Sequence, residues 1–211
     1  MTQFQRLLRL LTSILDPRAW ISLFRLVNHY NYDHVAPRRK LHRGPGVQLS
    51  PTVSLRNAER IEIGARTRIG DDCALWAGDH TGRIRIGEDC LLGPQVYITA
   101  SNYRMQPGVP VHAQPKHEQD VIVEDGCWLG ARVLVLAGVT IGRDCVVGAG
   151  AVVTHSLPPG AIAVGVPART VKYRDDRTEP RSRSTRPGDI SDDDEVPYLR
   201  SGRGTTESRR G

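Results

Sequence analysis

Residues 121–153 read Val-Ile-Val-Glu-Asp-Gly-Cys-Trp-Leu-Gly-Ala-Arg-Val-Leu-Val-Leu-Ala-Gly-Val-Thr-Ile-Gly-Arg-Asp-Cys-Val-Val-Gly-Ala-Gly-Ala-Val-Val, and this stretch decides the fold. Val123, Leu129, Val135, Ile141, Val147 and Val153 recur every six residues. Neither the 3.6-residue helix nor the two-residue strand has that period. A six-residue period describes a prism-like coil, in which each hexapeptide supplies one short strand and one turn, and three complete a circuit. The aliphatic residue points inward and stacks on its counterpart eighteen residues on, about 4.8 Å away. Glycine follows many of these residues (Gly130, Gly142, Gly148) and relieves crowding where the chain bends.

Working outward, the same spacing links Ile63, Ile69 and Leu75, then Ile86, Leu92 and Ile98, and Val47 and Val53 begin the series. The expected fold is therefore all-β, a parallel β-helix. Cys73, Cys90, Cys127 and Cys145 each sit two residues before a repeat aliphatic, a second inward position that takes small side chains. No Cys-x-x-Cys pair occurs, so the cysteines read as reduced core residues rather than zinc or redox ligands. Aromatics make up only 5% of the 211 residues against 21 glycines and 14 prolines, which fits narrow interior slots. The coil ends need caps, and the N-terminal helices and Pro158-Pro159 are the candidates.

Residues 1–35 read as amphipathic helix. Phe4, Leu7, Leu8, Leu11 and Leu15 keep helical spacing, and Trp20, Phe24 and Val27 continue it. Asp16-Pro17 is an N-cap followed by proline at the first helical position. Arg6, Arg9, Arg18 and Arg25 make the polar face basic. The segment is expected to pack on the main domain, with peripheral membrane contact as the alternative. It lacks the length of a membrane span and the cleavage site of a signal peptide, so the expected location is cytoplasmic. Residues 175–211 are nearly devoid of apolar side chains and read as a disordered tail. The net charge of +6 resides largely in the two ends, which carry no aromatic interleaving and no nucleic-acid module.

The hexads break between Ile98 and Val121. The intervening polar, proline-bearing loop 99–120 must leave the prism, and loops on rigid scaffolds are where sites are built. Together with Gly126–Val133, Ala137–Gly142, Val147–Thr154 and Gly165-Val-Pro-Ala-Arg169, the domain at 45–174 resembles the hexapeptide-repeat acyltransferases, in their maltose, galactoside and polysaccharide O-acetyltransferase branch. The resemblance implies a left-handed coil, a homotrimer with sites between subunits, acetyl coenzyme A as co-substrate, no metal, and a sugar or glycan hydroxyl as acceptor. It places Trp128 and Ala131 along the pantetheine path, and Gly148, Ala149 and Thr154 near the thiol arm or nucleotide end. Pro167, Arg169 and Lys172 fall near the adenosine phosphates.

That chemistry needs a base, for which histidine suits, and a backbone N–H to meet the oxyanion. Where the family carries a loop histidine, this chain reads Ser101-Asn102-Tyr103. A tyrosine is a donor at neutral pH. Three readings follow: His112 or His117 takes over; Tyr103 positions the acceptor while another group removes the proton; or the scaffold has lost catalysis and serves as a binding protein. Asn102 orients a hydroxyl or caps a turn. A rival metalloenzyme reading, of γ-class carbonic anhydrase type, would use His80, His112 and His117 as zinc ligands.

Overall fold

The computed structural model describes residues 16–174. The first part of the N-terminal helical pattern and the tail expected to be disordered lie outside them. Three parallel sheets form the walls of the prism. The first wall stacks His42–Arg43, Ile61–Ile63, Ile84–Ile86, Val121–Val123 and Thr140–Ile141. The second stacks Gln48–Leu49, Arg68–Ile69, Leu91–Leu92, Trp128–Leu129, Val146–Val147 and Ala161–Val164. The third stacks Ser54–Arg56, Ala74–Trp76, Tyr97–Thr99, Leu134–Val135 and Val152–Val153. This is the parallel β-helix that the hexads describe, left-handed as the resemblance implies, with helix at its N-terminal end.

In the second half the register is the expected eighteen residues: Val123 lies beside Ile141, Leu129 beside Val147 and Val135 beside Val153. These side chains, with Ile63, Ile69, Leu75, Ile86, Leu92 and Ile98, are buried and form the core. Burying each contributes about 1.5–3 kcal/mol.

Val47 and Val53 do not begin that row. The residues paired into the first coil are Leu49 and Leu55, which stack on Ile69 and Leu75. The two valines lie two residues earlier, in the row that also holds the cysteines. All four cysteines are buried and free. Their thiols donate across coils: Cys73 to the Gly93 carbonyl at 3.1 Å, Cys90 to Glu124 at 3.2 Å, Cys127 to Gly142 at 3.1 Å and Cys145 to Pro158 at 3.0 Å. Thr67 does the same to Gly87 at 2.7 Å. A small side chain with a donor fits this row, because it fills the slot and satisfies a carbonyl at the corner.

The glycines act through close approach. A Cβ on Gly64 would lie 2.5 Å from the Gly87 carbonyl carbon, and one on Gly130 would lie 2.7 Å from the Ala149 nitrogen. The left-handed backbone falls elsewhere, three residues past the aliphatic: Arg66, Asp72, Asp89, Gln95, Arg132 and Asp144 all have positive φ.

Helix α1 spans Pro17–Tyr30, capped by the Asp16 side chain accepting from the Arg18 N–H at 2.9 Å. A π turn (Asn31–Val35) and a 3-10 turn (Ala36–Arg39) carry the chain into the prism. The expectation that the N-terminal helix packs on the main domain fails for α1, since none of its residues is buried. Its C-terminal end is fastened by the Tyr30 hydroxyl to the Pro51 carbonyl (3.5 Å), and the turn after it by Arg38 to the His34 and Ser50 carbonyls (2.6 Å each). At the other end, the segment into Pro158-Pro159 covers the last strand of the first wall, with Leu157 bridging Ile141 and the Pro158 carbonyl accepting from Cys145, and an antiparallel strand pair, 161–164 against 169–173, closes the second.

Candidate active site

Every insertion into the regular coil leaves at one corner, between the third wall and the first. The stride across that corner is eight residues from Leu55 to Ile63, eleven from Leu75 to Ile86 and twenty-five from Ile98 to Val123. It falls to six from Val135 to Ile141. Three loops, 57–60, 77–83 and 99–120, therefore stack in a column, of which the broken hexads had flagged only the last.

Polar groups lock the column together. Asn57, itself in the left-handed region, donates from Nδ2 to the Ala77 carbonyl (3.1 Å), the Gly78 carbonyl (3.0 Å) and Asp79 Oδ1 (3.1 Å). Glu118 accepts the backbone N–H groups of Asp79, His80, Thr81 and Gly82 at 2.6–3.2 Å, plus the Thr81 hydroxyl at 3.1 Å. Burial opposes ionisation of this carboxyl, but the N–H groups of Thr81, Gly82 and His80 outweigh it and hold its pKa down at about 2. Successive N–H groups aimed at one point form an anion nest, here filled by the chain's own carboxylate.

The excursion at 99–120 leaves the prism as expected, and its base is an antiparallel hairpin. Ser101 pairs with Glu118, Asn102 with His117, and Tyr103 with Lys116. Its tip is a 3-10 turn, Val111–Ala113, pinned by the buried Gln114 amide to the backbone of Gln106 and Val109.

Side chains alternate across such a ribbon. Lys116 reaches Asp79 Oδ2 at 2.8 Å and lies 5.5 Å from the centre of the Tyr103 ring, so Tyr103, Lys116 and Glu118 share the face turned to loop 77–83. The Lys116 ammonium lowers the Asp79 pKa, and Asp79 in turn raises that of Lys116. Asn102 and His117 occupy the opposite face, side by side and both exposed. His112 sits apart, in the exposed tip turn. Next to Asp79, a cavity of about 510 Å³ opens between the column and the turns after α1, lined by Tyr32, Lys40, Arg56, Asn57 and Glu59 among others. Among the described residues, no three His, Cys, Asp or Glu side chains converge on a point where they would hold a metal ion, and His80, His112 and His117 are not brought together.

The residues matched to coenzyme A lie mostly elsewhere. Trp128 stands on the outer side of the second wall, 51% exposed, between Leu91 and Val146. The row continues through Ile162 to Lys172 on the closing strand, and Arg169 pairs with Val164 nearby. Ala131, Gly148 and Ala149 form the adjoining corner toward the third wall, where the Gly150 N–H meets the Ala131 carbonyl at 2.8 Å. Pro167 lies in the exposed turn of the closing strand pair. Thr154 does not join them: it follows the third wall at the insertion corner, its hydroxyl 2.8 Å from His155 Nδ1.

A family model for the hexapeptide repeat of succinyl-transferase matches residues 120–155. The chain is 33% identical over 179 residues to a probable acetyltransferase of Mycobacterium tuberculosis, covering 74% of this chain and 57% of that protein. It is 28% identical over 167 residues to the galactoside O-acetyltransferase of Escherichia coli, covering 71% of this chain and 75% of the relative. Among solved structures, a hexapeptide-repeat acetyltransferase of Vibrio cholerae complexed with acetyl coenzyme A superposes with a TM-score of 0.57. It is 25% identical, over 65% of this chain and 73% of that one. The chain belongs to the hexapeptide-repeat acyltransferases. It spans little more than half the length of the mycobacterial relative.

Within this acyltransferase scaffold, Tyr103 is the departure, and the hairpin shows what surrounds it. The tyrosine faces the Asp79–Lys116 pair, whereas the hairpin's imidazole at His117 faces the other way. The clamp made by Asn57, Asp79 and Glu118 escaped sequence reading. Its signals were the eight-residue stride from Leu55 to Ile63 and the eleven-residue stride from Leu75 to Ile86, where an unbroken hexad would step by six.

Proposed function

We propose that this protein transfers the acetyl group of acetyl coenzyme A to a hydroxyl of a sugar or polysaccharide precursor, with His117 as the base. The observation that carries the assignment is the cross-strand pairing of Asn102 with His117 on the exposed face of a hairpin held by Glu118. His117 accepts the hydroxyl proton as the oxygen attacks the thioester carbonyl, Asn102 orients that hydroxyl, and the protonated imidazole returns the proton to the departing thiolate. Tyr103 is a positioning residue on the opposite face, and His112 at the tip takes no part. The galactoside O-acetyltransferase relative and the acetyl coenzyme A complex of the structural neighbour support the acceptor class and the donor.

The coenzyme lies along Trp128, Ala131, Gly148 and Ala149, with Pro167, Arg169 and Lys172 toward its phosphates. Thr154, placed at the insertion corner, meets the thiol arm of a coenzyme held by a neighbouring copy. In a three-walled prism the corner between the third and first walls lies opposite the second wall. One chain thus keeps the hairpin and Trp128 on opposite sides, and a homotrimer brings the hairpin of one copy to the second wall of the next. The proposed setting is the cytoplasm, where four free cysteines stay reduced.

The test is thiol release from acetyl coenzyme A over a panel of sugars, with wild type beside His117→Ala, His112→Ala and Tyr103→Phe. The expected result is a loss on the order of a hundredfold or more in kcat for His117→Ala alone. Unchanged turnover in His117→Ala would refute the base assignment. A silent wild type that still binds coenzyme A by calorimetry would favour a non-catalytic scaffold.

A further inference from the structure

Helix α1 has no role in the site above, and none of its residues is buried. Phe24 is 73% exposed, and Trp20, Ile21, Leu23, Leu26, Val27 and Tyr30 are also exposed, although globular proteins rarely leave so large a contiguous apolar surface open. Arg18, Ser22, Arg25 and His29, spaced by three or four residues, make the opposite face. The helix contains no acidic residue. Basic residues continue past it as Arg38, Arg39, Lys40 and Arg43, and Asp33 is the single acid between Pro17 and Arg43. Among the described residues, Arg18, Arg25, Arg39, Lys40 and Arg43 have no carboxylate partner.

We infer that α1 docks this protein on an anionic lipid surface. Two properties select a bilayer over a second copy of the chain. The apolar residues at 20, 21, 23, 24, 26, 27 and 30 run around more of the helix than the narrow seam of a helix pair requires. Arg18, Arg25, Arg39, Lys40 and Arg43 form no ion pair with a described carboxylate, and a sheet of anionic headgroups supplies the counter-charge. At about 21 Å the helix suits lying in the interface rather than crossing, and no described helix is long and apolar enough to span a membrane. Tyr30, His34 and Arg38 fasten its C-terminal end and the turns after it to the first coil, and Ile21, Leu23, Phe24, Leu26 and Val27 stay exposed, open to the headgroup layer.

The experiment is sedimentation of the full chain with vesicles of phosphatidylcholine alone and of phosphatidylcholine mixed with phosphatidylglycerol. It compares wild type, Leu23→Glu/Phe24→Glu and Arg18→Gln/Arg25→Gln. The wild type is expected to bind the anionic vesicles and leave the neutral ones. The glutamate pair should abolish binding with the thermal midpoint unchanged, since α1 buries nothing in the prism. Each cation removed should weaken partitioning about fivefold. Vesicle binding that survives the glutamate pair overturns the inference. So does a wild type that ignores both vesicles while the glutamate pair lowers its oligomeric state, which would make α1 an interface between copies.

Discussion

At the residue scale, the positions that hold the coil together differ in how they fail. Leu129 is fully buried and stacks between Leu92 and Val147, so Leu129→Ala should cost about 2–5 kcal/mol in denaturant unfolding. Gly64→Ala should also destabilise, by about 2 kcal/mol, because its Cβ would meet main chain that cannot rotate away. Cys127 separates size from hydrogen bonding: Cys127→Ser keeps a donor to the Gly142 carbonyl, whereas Cys127→Val removes it. The valine variant should be the less stable by about 1 kcal/mol. These roles were only half legible in the sequence. The six-residue period exposed the inward rows. It did not show that the left-handed corners belong to residues such as Arg66 and Asp89, because side chains tie those corners together: Arg66 bridges to Asp89 at 2.7 Å.

At the element scale, the hairpin depends on Glu118. Its folded pKa of about 2 lies below the ordinary glutamate value of about 4.3, so ionised Glu118 stabilises the nest above that value. The contribution is lost as pH falls through the folded value. Amide exchange at Asp79–Gly82 should therefore accelerate as pH drops toward 2, beyond the change seen at other exposed amides. Glu118→Gln should show the faster exchange already at neutral pH. Equal exchange in wild type and Glu118→Gln would remove the clamp from the account. The sequence announced an excursion here but not its form: residues 99–120 are polar and proline-bearing, and the pairing of Asn102 with His117 depends on Glu118 and Lys116 reaching a different loop. Long-range contacts of that kind leave no periodic trace.

At the scale of the whole molecule, the prism fixes directions. All three insertions share one corner, while Trp128, Lys172 and the Ala131–Ala149 corner lie on or beside the wall opposite. Trp128→Ala should raise the KM for acetyl coenzyme A about tenfold, as expected for loss of a large apolar contact. His117→Ala should lower kcat instead. The proposed division of the site between copies makes the two lesions separable between chains. The most direct measurement is acetyl coenzyme A turnover, at a donor concentration below the raised KM, by mixed assemblies refolded from His117→Ala and Trp128→Ala chains. Activity well above that of either variant alone is the predicted result, because some interfaces then pair an intact hairpin with an intact second wall. Mixed assemblies no more active than the better parent would contradict a site shared between copies.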